Sequence, residues 1–412
     1  MIMAEPGMVG LSTARLARIG PTMARWVDGG LLSGAITLVA RHGRVVHLQP
    51  HGMADIASGR PMARDTIVRI YSMTKPITSV AALMLYEEGY YQLDDPVAAY
   101  LPEFKDTPVS MRADAGWEVV PQERPMTIWH LFTHTSGLMY PTGEDSPTAA
   151  AYREAFPGRL NVPVPLDAWA ATLGRLPLAF QPGSAWRYSW AIDVLGYLIE
   201  VLSGQTLDAF LEERIFEPLK MVDTGFWVAP EKAGRLASVY APAEPGYQRE
   251  GQLRSERTPG LRVVDAAATS EYLARRPFLS GGGGLVSTVD DYYRFAQMLL
   301  NRGELDGVSI LGRKTVELMT MNHLPTEMLA VNDWSTCRGC GFALGVRVMM
   351  DVAQSGRHGS VGSYGWDGLA STYFWIDPKE DLIAISLPQH LPNTGFPHAQ
   401  DFKAAVYQAL VD

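Results

Sequence analysis

A serine and a lysine three residues apart, Ser72 and Lys75, form the clearest candidate for a catalytic pair in the sequence. They begin a segment with a helical spacing of apolar residues, and side chains three positions apart share one face of a helix. A buried lysine loses part of its positive charge and can then accept a proton from a serine hydroxyl. Backbone N–H groups at a helix N-terminus also stabilise negative charge. The pair alone could equally be a helix N-cap followed by a solvated lysine.

Two further segments carry groups that could assist such a pair. Tyr188 lies on a loop directly before a predicted helix, where its phenol could relay protons to and from a serine. It could also be a buried aromatic residue with a satisfied hydroxyl. Gly368 precedes a predicted strand and would let a substrate approach the backbone closely, although this segment could simply anchor a hairpin. The backbone N–H groups of Ser72 and Leu369 are candidate donors to an oxyanion.

These three segments, in this order, resemble the family VIII carboxylesterases, which are relatives of class C β-lactamases and penicillin-binding proteins. The matching patterns are S-x-x-K at 72–75, Tyr-Ser at 188–189 and W-x-G at 366–368. Two more segments are similar to signatures of that family, TIWHLFTHTSGL at 127–138 and SGGGGLVST at 280–288. The resemblance extends from residue 11 to residue 388, which is nearly the whole chain.

The resemblance implies a serine β-lactamase-like (DD-peptidase) fold of the α/β plus α class, with an antiparallel sheet, flanking helices and a mainly helical second subdomain. It implies that Ser72 is the nucleophile and that Lys75 and Tyr188 together act as general base and acid. Trp366 would stand where β-lactamases carry the lysine of their K-T-G motif. Gly368 would keep that strand close to the acyl group. Neither a metal nor a cofactor is expected.

Two departures from the β-lactamase pattern favour esters over β-lactams. Trp190 stands where β-lactamases have an asparagine, and Trp366 replaces the K-T-G lysine. Both changes exchange polar recognition for aromatic surface, so we expect Trp190, Trp366 and Tyr140 to line a pocket for uncharged, apolar esters. The segment 358–360 (His-Gly-Ser) is an alternative for the K-T-G position, but the spacing of Trp366 to the following strand fits the W-x-G members better.

The sequence therefore predicts a serine carboxylesterase that hydrolyses small, apolar carboxylic esters through an acyl-enzyme at Ser72. An acyltransferase or an amide hydrolase of the peptidase or β-lactamase type could use the same acyl-enzyme. A non-catalytic binding protein of the same fold is a third reading, which the intact Ser72, Lys75 and Tyr188 argue against. The expected partner is a small-molecule ester, and the sequence does not predict an oligomeric state.

Other catalytic motifs do not fit the sequence. It contains no G-x-S-x-G nucleophile elbow and no H-E-x-x-H zinc motif. His134 could suggest a Ser-His-Asp triad, but we interpret it as a structural histidine. The glycine run 281–284 lacks the G-K-[ST] ending of a phosphate loop, and Asp290 and Asp291 would repel a phosphate at the next helix.

The elements that must position these residues follow from the periodicity of apolar side chains. Helical spacing predicts helices over 11–28, 73–88, 129–132, 191–202, 207–215 and 402–410. Extended patterns predict strands over 35–40, 45–48, 342–349, 373–376 and 382–387. The sheet is thus expected to combine strands from both ends of the chain.

This arrangement predicts two structural units. Residues 1–90 and 280–412 are expected to form a discontinuous α/β sheet domain, and residues 91–279 a mainly helical subdomain. The active site would lie in the cleft between them. The loops 139–157 and 241–271 are expected to shape the substrate entrance.

Composition limits the partners and the compartment. The chain has 412 residues, of which 35 are basic and 44 acidic, giving a formal net charge of −9. Nucleic acid is not expected as a partner, because binding phosphates needs clustered lysine and arginine. The sequence lacks an apolar stretch long enough for a membrane span and a recognisable signal peptide. We therefore expect a cytoplasmic protein without a membrane partner.

The two cysteines of the sequence, Cys337 and Cys340, form a lone C-x-x-C. A zinc site would need two further ligands, and no second cysteine pair exists. A redox motif would open a helix near a βαβ unit, whereas Arg338 and Gly339 between the cysteines favour a turn. We expect a structural or incidental pair that is reduced in the cytoplasm.

Overall fold

The structure is a computed structural model that describes residues 1–114, 116–141, 144–158, 162–244, 259–328, 337–393 and 397–412. Parts of the two loops that are expected to shape the substrate entrance, 142–143 and 245–258, therefore lie outside the described residues.

Helices and strands alternate along the chain. The α-helices are α1 (Thr13–Leu16), α2 (Ile19–Val27), α3 (Thr74–Glu87), α4 (Ile128–Phe132), α5 (Pro147–Ala155), α6 (Leu166–Leu173), α7 (Ala191–Ser203), α8 (Leu207–Leu211), α9 (Val289–Leu300), α10 (Arg313–Thr320), α11 (Val352–Ser355) and α12 (His398–Tyr407). The strands are β1 (Gly34–Arg41), β2 (Arg44–Asp55), β3 (Arg60–Pro61), β4 (Val68–Arg69), β5 (Val109–Ala113), β6 (Gly116–Val120), β7 (Val239–Pro242), β8 (Leu261–Asp265), β9 (Val286–Ser287), β10 (Glu304–Leu305), β11 (Val308–Ser309), β12 (Cys340–Phe342), β13 (Arg347–Met349), β14 (Tyr364–Asp367), β15 (Tyr373–Asp377) and β16 (Leu382–Ser386).

An eight-stranded antiparallel sheet forms the centre of the fold, with the strand order β12-β13-β14-β15-β16-β1-β2-β3. Two neighbouring interior strands join the two ends of the chain, because β1 lies beside β16 with Leu38 opposite Ile385. Every residue of these two strands is buried, as expected for strands covered by other elements on both faces. The predicted antiparallel sheet with flanking helices is confirmed.

Two hydrophobic cores cover the faces of this sheet, because successive residues of a strand point to opposite sides. Along β16, Ile383 and Ile385 belong to the larger core, which also contains residues of α3, α4 and α7. Leu382 and Ala384 belong to the smaller core, which contains residues of α2 and α12. The helix that follows Ser72 therefore shares its core with the sheet.

The middle of the chain is mainly helical, and its helix α7 packs directly against α3. It also contains two hairpins, β5–β6 and β7–β8. The division into a sheet domain and a helical subdomain remains a prediction. Within the described residues no single helix has the length and apolar character to cross a membrane, although Ala191–Ser203 and Leu207–Phe216, bent by 85°, would qualify as a pair.

Two predicted elements are divided in the structure. The predicted helix 11–28 is two helices, α1 and α2, because Pro21 has no N–H to donate and its ring would collide with the carbonyl of Ala17 in a continuous helix. The predicted strand 342–349 is two strands, β12 and β13, separated by a turn at Gly345. Gly345 has a φ of +89°, which favours glycine.

The prediction that Cys337 and Cys340 are reduced is wrong, because the structure joins them in a disulfide. Between them Gly339 has a φ of +69°, and the N–H of Cys340 donates to the carbonyl of Cys337 at 3.0 Å. This turn holds the two Cα atoms 5.3 Å apart, a separation that a disulfide can span. The cysteines pack on Met349 at the edge of the sheet.

We expect Ile385→Ala to lower the free energy of unfolding by about 2–5 kcal/mol, because the buried side chain leaves a cavity in the central strand. Val222→Ala is a control, since that side chain is 71% exposed and its loss should change the free energy by no more than about 0.5 kcal/mol. Urea unfolding of both variants measures the difference. Equal, small effects would contradict a rigidly packed centre at β16.

Candidate active site

The serine of the predicted pair lies on a tight turn that leads into α3. Residues Tyr71–Met73 form a single 3-10 turn, and α3 begins at the next residue, Thr74. Tyr71 has a φ of +42°, in the left-handed region that costs energy for a residue other than glycine. The strained residue directly precedes Ser72, whose side chain is half-buried. The turn therefore presents the hydroxyl of Ser72 at the start of a buried helix.

Lys75 lies in the first turn of α3 with no exposed surface. Its Nζ donates to Ser72 Oγ at 3.2 Å, to Tyr140 Oη at 3.1 Å and to the carbonyl of Gly282 at 2.5 Å. The ring of Tyr188 covers it, with Nζ 4.6 Å from the ring centroid. The structure thus places the predicted Ser72 and Lys75 within hydrogen-bonding distance.

Tyr188 joins this group from the loop before α7. Burial raises the pKa of its phenol, and hydrogen bonds with Ser72 and Trp366 lower that pKa to a smaller extent. Trp366 of β14 donates its indole N–H to Tyr188 Oη at 3.2 Å. Because burial dominates, the phenol is protonated in the resting site. The structure therefore brings together Ser72, Lys75, Tyr188 and Trp366.

The end of β14 runs beside the turn of the nucleophile. A Cβ atom at Gly368 would collide with the carbonyl oxygen of Ile70 and with Thr372 Oγ1, so that glycine is required for the close approach. Leu369 packs against the small hydrophobic cluster of Tyr71, Val239 and Ala370. This places the residue of one predicted oxyanion donor, Leu369, next to the turn that carries the other, Ser72. Their role as oxyanion donors remains a prediction.

Asp193, which no sequence motif indicated, is a carboxylate in the first turn of α7 with no exposed surface. Its Oδ1 accepts hydrogen bonds from Ser280 Oγ at 2.5 Å and from the N–H of Gly282 at 3.0 Å. The carbonyl of that same glycine accepts from Lys75. Burial raises the pKa of Asp193, and the positive charge of Lys75 opposes the rise. An acidic residue in the first turn of a mostly apolar helix was the available signal.

All three predicted pocket residues are buried: Tyr140 is 6% exposed, Trp366 1% and Trp190 0%. Tyr140 does not present a purely apolar surface, because its hydroxyl accepts a hydrogen bond from Lys75. Trp190 has no exposed surface and lies in an aromatic cluster behind Tyr140, with ring centroids 5.6 Å apart. It also stacks on Tyr152 at 5.9 Å and meets Trp169 edge-on at 5.8 Å. Trp190 therefore packs against Tyr140 inside the protein and does not face solvent.

His134 is fully buried and packs against Tyr188, with ring centroids 4.8 Å apart. Burial lowers its pKa well below the usual value, and the nearby Lys75 lowers it further, so the imidazole is neutral. Its Nδ1 lies 3.1 Å from Ser189 Oγ. These contacts agree with a structural histidine.

His358, from the alternative K-T-G segment, instead stacks on Tyr407, with ring centroids 6.2 Å apart.

The family model described as Beta-lactamase matches residues 22–408 of the chain. The chain is 37% identical over 377 residues to Protein Rv1367c of Mycobacterium tuberculosis, covering 89% of this chain and 88% of that protein. It is 31% identical over 386 residues to Esterase EstB of Burkholderia gladioli, covering 93% of each.

A solved structure, described as "EstCE1, a hydrolase with promiscuous acyltransferase activity", has the same fold. The TM-score is 0.78 at 27% identity, and the match covers 96% of this chain and 99% of that one. The predicted serine β-lactamase-like fold and the resemblance to esterases with that fold are confirmed. The chain therefore belongs to the beta-lactamase family of serine hydrolases.

Proposed function

We propose that this serine hydrolase is a carboxylesterase that cleaves small, apolar carboxylic esters through an acyl-enzyme at Ser72. The observation that carries the proposal is the hydrogen-bonded group of Ser72, Lys75 and Tyr188, with Lys75 Nζ 3.2 Å from Ser72 Oγ. A nucleophile with its base at this distance fits acyl transfer to serine. The 31% identity to Esterase EstB supports an ester as the substrate.

In the proposed reaction, Ser72 Oγ attacks the ester carbonyl carbon and its proton moves to the Lys75–Tyr188 pair. The carbonyl oxygen becomes an oxyanion, held by the N–H groups of Ser72 and Leu369. The C–O bond to the alcohol then breaks, and the alcohol takes the proton. Since burial keeps the phenol of Tyr188 protonated, Tyr188 is suited to donate that proton while Lys75 restores it. Water repeats the steps and releases the acid.

The surroundings of the nucleophile support an uncharged substrate. The side chains around Ser72 and Lys75 include the aromatic rings of Tyr140, Tyr188 and Trp366. Trp366 is 1% exposed and its polar N–H is already bonded to Tyr188. It therefore provides no cation for the carboxylate of a β-lactam. In the β-lactamases that this chain resembles, the K-T-G lysine provides that cation.

Acyl transfer to an alcohol is the second candidate, and the similarity to the hydrolase EstCE1, described with promiscuous acyltransferase activity, favours it. Both activities need the same acyl-enzyme and differ only in whether water or an alcohol attacks it. Competition decides between them: added alcohol raises the transfer product over free acid only in a transferase. Amide cleavage remains a further alternative with the same nucleophile.

A brief exposure to p-nitrophenyl acetate, followed by intact-protein mass spectrometry, tests the acyl-enzyme. We expect an acetyl-sized mass increase in the wild type and in Ser79→Ala, and none in Ser72→Ala. Ser79 is a matched control because it lies on the same helix and is fully buried. Nitrophenol release that persists in Ser72→Ala would place the nucleophile elsewhere. A folded wild type with neither adduct nor release would contradict an esterase.

We expect Asp193→Asn to shift the acid limb of the kcat/KM profile to lower pH by about one unit or more. The carboxylate favours the charged form of Lys75, so its removal lowers the pKa of that amine, and the free base then appears at lower pH. Asparagine keeps the oxygen that accepts from Gly282. Thermal unfolding of the variant controls for folding. An unchanged acid limb with reduced kcat would limit Asp193 to a structural role.

Two variants of Trp366 separate its hydrogen bond from its ring. Trp366→Phe removes the N–H that lowers the pKa of Tyr188, and the weaker acid should reduce kcat about tenfold, the cost of one hydrogen bond of about 1.4 kcal/mol. Its preference among acyl lengths should persist, whereas Trp366→Ala should extend activity to longer acyl chains. Rates with p-nitrophenyl esters of increasing length measure both effects. An unchanged preference in Trp366→Ala would exclude the ring from the pocket.

A further inference from the structure

A second pocket lies on the face of the sheet opposite the catalytic group. Arg347 of β13 is aligned with Gly365 of β14, and Gly365 with Trp375 of β15. Residues paired in this way share one face of a sheet, and the neighbouring Trp366 points to the other. Accordingly Trp375 belongs to the smaller core and Trp366 to the larger. Ser72 does not line this pocket, although the guanidinium of Arg347 lies 5.3 Å from the ring centroid of Trp366.

The pocket is lined by positively charged and hydroxyl side chains beside the Cys337–Cys340 disulfide. These are Arg347, Arg357, Lys403, Ser363 and Tyr373. They converge from the sheet, from the turn after α11 and from the C-terminal helix α12. Three cations on separate elements meet at one place, although like charges repel each other.

Two of these cations form no ion pair with the described residues, although burial lowers the pKa of Arg357 and the charge of Asp367 acts to raise it. Arg347 forms an ion pair with Asp367 at 3.8 Å, but Arg357 and Lys403 form none with any residue that the structure describes. Lys403 is only 7% exposed, and its Nζ lies 5.3 Å from the ring centroid of Trp375. A buried cation is costly unless it is paired or hydrogen-bonded. A bound anion would offset that cost.

Titration of the lining groups agrees with an excess of positive charge. Burial raises the pKa of Tyr373, but Lys403, Arg347 and Arg357 together bring it below its usual value. The pKa of Arg357 is lowered, by burial first and then by Arg347. Both shifts have the direction that a site of unbalanced positive charge produces.

Gly359 lies beside two of the polar lining groups. It has a φ of +142°, in the region that favours glycine. A Cβ atom there would lie 3.3 Å from Ser363 Oγ and 3.6 Å from Lys403 Nζ. Glycine therefore places no side-chain atom against the ammonium and the hydroxyl.

We propose that this pocket binds a small divalent oxyanion. Arg357 and Lys403, which form no ion pair within the described part of the chain, match its two negative charges. The guanidinium and ammonium N–H groups and the hydroxyls of Ser363 and Tyr373 supply donors for its oxygens, as charge-assisted hydrogen bonds to oxyanions require. The lining does not include Ser72, Lys75 or Tyr188, so this proposal does not depend on the proposed function.

Isothermal titration with sodium phosphate at about pH 8, where phosphate is mostly divalent, tests the site, with sodium chloride holding the ionic strength constant. We expect saturable binding in the wild type and binding at least about tenfold weaker in Arg357→Gln and in Lys403→Met. Arg357 is half-buried in a turn, so that variant should fold even where replacing the buried lysine does not. Arg175→Gln, at an exposed arginine, is the matched control.

Ser72→Ala should retain the phosphate affinity, because Ser72 does not line the pocket. Acetate, titrated in parallel, should bind more weakly than phosphate since it carries one charge. The proposal is overturned by a folded wild type without saturable binding, by unchanged affinity in Arg357→Gln, or by loss of binding in Ser72→Ala. Acetate that binds as tightly as phosphate would overturn the assignment to a divalent oxyanion.

Discussion

A lysine with no exposed surface lies one helical turn after the candidate nucleophile. Because burying its charge is costly, the groups around it must supply hydrogen-bond acceptors and negative charge. The carbonyl of Gly282 and two hydroxyls accept its N–H groups. Asp193 holds the same glycine from its other side and adds a negative charge. The glycine run before β9 is thus part of the site, because a Cβ atom at position 282 would collide with the Asp193 carboxylate.

Much of this arrangement could be predicted from local patterns. Ser72 lies in the turn that leads directly into the helix of Lys75, so their spacing of three residues predicts their contact. The fold followed from motif order, and β14 does bring Trp366 to Tyr188. Asp193 could not be found in this way, because its partners lie on a segment about ninety residues further along the chain. Contacts between distant segments depend on packing, which spacing does not record.

Two errors of prediction have specific physical causes. Trp190 was expected to line a pocket because it stands where β-lactamases have an asparagine, but here neighbouring aromatic rings enclose it completely. The cysteine pair was expected to be reduced because a cytoplasmic location was assumed. The turn at Gly339 instead brings the two Cα atoms to 5.3 Å, and the cysteines form a disulfide. In both cases tertiary geometry decided what residue type alone left open.

The pairing of β1 with β16 has a consequence for synthesis on the ribosome. β1 and β2 can form a hairpin as soon as residues 34–55 have emerged, but the other edge of β1 pairs only with residues 382–386. Until then this apolar strand presents unpaired backbone groups, the condition under which sheets add foreign strands. The nascent chain must therefore expose an unpaired strand edge through most of its translation. That edge is paired only when the last strands have been synthesised.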